Sequence, residues 1–141
     1  MLSALTIPDV CSSLESDDGI ATRNKYVDWY NKWVVAPERI NGKTCYYYRC
    51  STLHQGINSH SEIDYPRIMF FPKNSKIKSH GGTIDGDLYV DVSQFVKDLV
   101  NGAKEWKEYM IDNSNFRRNY DKFVKLHPNG YRSTFGNPVI R

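Results

Sequence analysis

Apolar positions recur at three- and four-residue spacing over most of the chain, and this period predicts helices. Thr6-Ile7-Pro8-Asp9 has the form of a helix start: Thr6 can cap, Pro8 is tolerated in the first turn and Asp9 complements the dipole. That short helix buries Val10 and Leu14 and stops near Ser16-Asp17-Asp18-Gly19. A second helix is predicted from about Gly19 to Val35, on the stripe Tyr26, Trp29, Tyr30, Trp33 and Val34. Its aromatics suit core packing better than a base-stacking platform. After Pro37 and the turn Asn41-Gly42, Thr44 to Gly56 reads as one helix closed by a glycine stop.

The period then changes. Arg67-Ile68-Met69-Phe70-Phe71 and Leu88-Tyr89-Val90-Asp91-Val92 are short β-rich runs, joined by a loop with Gly81-Gly82 and Asp85-Gly86. They predict a small antiparallel hairpin across residues 66–92, with Ile77 and Ile84 as an inner rung, lying on the helices. The longest helix follows, about Ser93 to Ile111, on the stripe Phe95, Val96, Leu99, Ala103, Trp106 and Met110. Asn113 or Ser114 caps one more helix, whose stripe is Phe116, Tyr120, Phe123 and Val124 and whose stop is Pro128-Asn129-Gly130. Phe135, Val139 and Ile140 are expected to pin the tail. The fold class is mainly α: a small bundle of about five helices with an inserted antiparallel β-hairpin.

The 141 residues suffice for one domain, spanning 1–141, with a core that needs no disulfide. Cys11, Cys45 and Cys50 make an odd count, which fits reduced thiols. No apolar run reaches the ~20 residues of a membrane span and no signal-like segment opens the chain, so the expectation is a cytoplasmic protein away from membranes. The net charge of +3 is too small to announce a nucleic-acid binder. Its distribution says more: from Arg117 on, Arg117, Arg118, Lys122, Lys125, Arg132 and Arg141 face only Asp121. Arg117, Arg118, Lys122 and Lys125 are therefore candidate RNA contacts, against the blander reading of a solvated helix face.

Cys45, Cys50, His54 and His60 have the elements for zinc but the wrong spacing, because helical residues five apart point about 140° away from each other. Neither a metal nor another cofactor is expected. Cys50 and His54 can face each other at four residues, yet nothing orients them as a nucleophile and base. Gly81-Gly82 and Gly86 lack the setting of a phosphate loop. Arg49, among aromatics and thiols, and His54, in the last turn before Gly56, offer a fixed cation beside a titratable group. A purely structural role would pair Arg49 with an acid on a neighbouring helix, Asp28 or Asp98, and leave His54 at the helix end.

Arg49-Cys50-Ser51-Thr52-Leu53-His54-Gln55-Gly56 is R-x4-H at the end of a helix, and it resembles the motif of the HEPN superfamily. That resemblance implies a small helical bundle and often a metal-independent endoribonuclease of toxin–antitoxin, abortive-infection or CRISPR systems, dimeric so that two motifs meet. Arg49 would hold the scissile phosphate and His54 would move protons, leaving 2′,3′-cyclic phosphate ends. Tyr47, Tyr48, Gln55 and Asn58 are near enough to assist. Cys50 stands where the family commonly has Asn, Asp or His, which implies a weaker polar network around Arg49. Taken whole, the chain also resembles a set of bacterial hypothetical proteins of similar length. The second expectation is a non-catalytic interaction module, antitoxin-like or a phage-defence accessory, with exposed aromatics meeting a protein partner.

Overall fold

The computed structural model describes residues 2–124. Those residues form a mainly α-helical fold with a small sheet. A 3-10 turn, Leu2–Thr6, leads into α1 (Ile7–Glu15), followed by α2 (Arg23–Trp33) and α3 (Gly42–Gln55). Strands β1 (Ile68–Phe71), β2 (Gly82–Ile84) and β3 (Asp87–Asp91) precede α4 (Val92–Met110) and α5 (Ser114–Tyr120).

Local chemistry sets most boundaries. The side chains of Thr22, Asn41, Asp91 and Asn113 each accept a backbone N–H at the start of α2, α3, α4 and α5. Thr6 does not cap α1; its hydroxyl donates to Ser3 O at 2.8 Å instead. The start of α2 falls later than Gly19, because Gly19 takes φ +72° and Asp18 Oδ1 accepts Ile20 N–H at 3.0 Å, closing a turn there. α5 ends at Tyr120, so Phe123 and Val124 leave the expected stripe; Val124 is 89% exposed. Lys125 and the tail residues Phe135, Val139 and Ile140 lie outside the described residues.

The strands pair differently from the expected hairpin. β3 is central in the order β1-β3-β2, with β1 parallel to it and β2 antiparallel. The hairpin is β2–β3, across the turn Asp85 (φ +50°) and Gly86 (φ +84°), a pair of left-handed residues that matches strand twist. Ile84 ends β2, an edge strand, and is exposed, and Ile77 is exposed in the preceding loop, so neither forms an inner rung. Ile68, Phe70, Leu88 and Val90 form the face turned to the helices, where Phe70 meets Tyr48 at 4.8 Å and Phe95 at 6.0 Å.

Trp29, Tyr26 and Tyr30 of α2 fill the core with Leu5, Leu88, Phe95 and Leu99. Trp106 of α4 lies edge-on to Trp29 (6.2 Å) and to Phe116 of α5 (5.5 Å), and its Nε1 donates to Glu15 Oε2 of α1 at 2.7 Å. Trp33 is only half-buried and rests on Tyr109. Asn119 Nδ2 donates to the carbonyls of Ser13, Leu14 and Ser16 at 3.2, 3.1 and 2.7 Å, so α5 closes the last turn of α1. Among the described residues no helix is long and apolar enough to cross a membrane.

Candidate functional site on helix α3

Helix α3 is fixed at both ends by its own sequence. Asn41 Oδ1 accepts Thr44 N–H at 3.0 Å, and Gly56, at φ +69°, returns its N–H to the last turn. Between those ends the helix is unbroken, so Arg49 and His54 diverge by about 140° around its axis. The two candidate groups therefore do not share a face of one chain.

Arg49 points towards α1. Its Nε lies 2.6 Å from Asp9 Oδ2, with the two side chains 22% and 19% exposed. Its Nη1 reaches Cys50 Sγ at 3.8 Å. The acid is Asp9 rather than Asp28, which is exposed, or Asp98, which is engaged elsewhere. Burial pushes the Asp9 carboxyl above the ordinary carboxylate value, and Arg49 offsets this only in part. Burial works against the charge on Arg49, but Asp9 and Cys50 outweigh it and hold its pKa above the ordinary value. Both partners answer to the interface between α1 and α3.

His54 is exposed in the last turn. Gln55 lines an open cleft of about 640 Å³, with Ile57, His60, Asp64 and Tyr65 among its walls. Tyr47 is buried: His60 covers its ring at 4.5 Å and the Arg23 guanidinium lies 4.8 Å from its centroid. Tyr48 is also buried and ties α3 to the sheet through Phe70. Asn58 is exposed; its carbonyl accepts Ile68 N–H at 3.0 Å, so it positions the start of β1. Of the six residues marked out around the motif, only Gln55 opens into the cleft.

Of the candidate RNA contacts, Arg117 and Arg118 are engaged within the chain. Arg117 pairs with Asp112 and donates from Nε to Ile111 O at 3.2 Å, and Arg118 Nη2 donates to Asp17 O at 2.5 Å. Lys122 lines a small groove with Asp18 and Asn119.

A second polar cluster carries no sequence signature beyond an i, i+4 pair. Asp98, nearly buried on α4, accepts Gln94 Nε2 at 2.7 Å and lies 3.1 Å from His80 Nε2. His80 thereby holds the end of the β1–β2 loop to α4. Among the described residues no three of His, Cys, Asp and Glu gather to hold a metal ion.

The thiols divide cleanly. Burial pushes Cys11 to about 12, with Glu15 adding to it, and burial likewise pushes Cys45 to about 12. Cys50 is only half-buried. Native protein treated with a thiol reagent at mildly alkaline pH is expected to label once, at Cys50, and three times after denaturation. Rapid labelling of Cys11 or Cys45 in the native state would refute this packing.

No family model, curated protein sequence or solved structure matches the chain.

Proposed function

We propose that the chain is a non-catalytic interaction module built on a HEPN-like helical scaffold, of the antitoxin-like or phage-defence accessory kind. The observation that carries this reading is the Asp9–Arg49 pair. A guanidinium already matched to a carboxylate in a half-buried interface must break that pair before it can hold a phosphate. His54, on another side of α3, then serves as an exposed residue at the helix end.

One observation favours the endoribonuclease alternative. His54 is exposed beside Gln55 and the open cleft, so a two-fold dimer of this surface would bring two histidines together for acid and base roles. One assay separates the readings. Wild-type protein incubated with mixed single-stranded RNA in EDTA is expected to leave no 2′,3′-cyclic phosphate ends. His54→Ala should melt within about 1 kcal/mol of wild type. Metal-free cleavage that falls at least about a hundredfold in both His54→Ala and Arg49→Ala, with both variants folded, would overturn the module reading.

A further inference from the structure

The sheet has a second face, turned away from the helices, that the Arg49 region does not use. Strand alternation places Met69, Phe71, Tyr89 and Ile84 there, with Asp87 and Asp91 at the two ends of β3, the first paired with Arg67 and the second capping α4. Phe71 and Tyr89 stack with centroids 4.9 Å apart and planes 10° from parallel, and both remain partly exposed. Opposite Tyr89 stands Gly82, which contributes no side chain. A Cβ added at Gly82 would meet Ser79 Oγ at 2.4 Å, so the end of the β1–β2 loop folds onto this same face.

That loop supplies the charge. From Tyr65 to Ile84 the chain carries Arg67, Lys73, Lys76 and Lys78 and no acid. Arg67 is taken by Asp87, at 2.7 Å from Nη2 to Oδ2. Lys73, Lys76 and Lys78 are exposed and stand in no ion pair among the described residues. The loop leaves β1 just after Phe71 and returns at Gly81, whose N–H donates to Tyr89 O at 2.8 Å, so both ends of the lysine-bearing segment lie beside the stacked rings.

We propose that this outer face binds single-stranded nucleic acid, with a base continuing the Phe71–Tyr89 stack and the loop lysines meeting the backbone phosphates. Charge complementarity selects a polyanion, and parallel rings select one with flat, unpaired bases. A duplex keeps its bases stacked inside and offers the rings nothing. An acidic protein partner would answer to the lysines while leaving the ring faces without a match. The site is separate from Arg49 and does not rest on the reading of that residue.

The probe is fluorescein-labelled oligouridine of about twelve nucleotides, followed by anisotropy over a salt series. Binding by the wild type should weaken with salt. Exchange of the three exposed lysines (Lys73→Ser, Lys76→Ser and Lys78→Ser together) should weaken it at least tenfold at low salt. The salt slope should fall by about two, since each phosphate contact on a single strand contributes about 0.7. Tyr89→Leu and Phe71→Leu retain apolar bulk and remove the flat ring; each should weaken binding at least fivefold, as the loss of one base stack implies. Thermal melts of the variants establish that the fold is kept, and the triple lysine variant, changed only at exposed positions, serves if a ring variant melts early. Lack of binding by the wild type at low salt would overturn the proposal. So would equal affinity for a duplex of the same length, or unchanged affinity in the lysine variant. Loss of binding with the lysines but not with folded ring variants would reduce the interaction to phosphate charge alone and also overturn it. Self-association of the wild type that Tyr89→Leu abolishes would assign the face to a second copy of the chain.

Discussion

Trp106→Ala is expected to destabilise the domain by about 3–5 kcal/mol, the usual cost of emptying a large aromatic site in a core. The indole of α4 fills the junction of four helices, edge-on to Trp29 of α2 and Phe116 of α5. Its Nε1 also donates to Glu15 of α1 at 2.7 Å, a charge-assisted bond whose loss adds to the cavity. Small domains have about 5–15 kcal/mol in total, so this variant should be marginal at physiological temperature. Trp106→Phe separates the contributions: it keeps most of the ring packing and loses the bond, and should lie well below the alanine variant in cost. Urea unfolding with an unchanged slope measures both. A cost near 1 kcal/mol for Trp106→Ala would show that the α1–α2–α4–α5 junction does not pack as described.

The second large effect is expected at the ion pair. Arg49→Ala should cost about 2–3 kcal/mol, less than the 3–5 of a wholly buried pair because water still reaches both side chains. Asp9→Asn should cost less, and Asp9→Asn with Arg49→Met should recover much of the loss, since neither charge is then stranded. The pH dependence has a definite sign. The folded Asp9 carboxyl lies above its ordinary value, so the folded state holds this proton more tightly than the unfolded chain. Its contribution to stability is full below the ordinary carboxylate value of about 4 and is lost as pH rises through the raised folded value. Asp9→Asn should remove that part of the pH profile. Additive single and double variants, measured by urea unfolding, would show that the two residues are not coupled.

How far the sequence anticipates this structure depends on how local each determinant is. The C-terminal end of α3 was legible because Gly56 acts within a few residues of itself, whereas Asn41-Gly42 reads as a turn and in fact caps and opens the helix. The buried stripe of α4 was legible because Phe95, Leu99, Trp106 and Met110 lie on one face whatever they pack against. Strand order was not, since Leu88 meets Ile68 across a long loop while only the Asp85–Gly86 turn has a local signal. The partner of Arg49 was illegible for the same reason. Asp9 read as a complement to the start of α1, and only the packing of the N-terminal segment against α3 brings its carboxylate to the guanidinium. His80 and Asp98 gave no cue at all, because their pairing depends on where the β1–β2 loop returns to α4.

The side-chain amide of Asn119 gathers three carbonyls from the end of α1, across more than a hundred residues of chain. On the ribosome α1 emerges well before α5, yet the group that closes its last turn is made only when α5 is translated. The closing contact of α1 is therefore made only after α5 has been translated, whatever order the rest of the fold takes. A nascent chain stalled before Asn119 would hold α1 with an open end, exposed to proteases that the finished fold excludes.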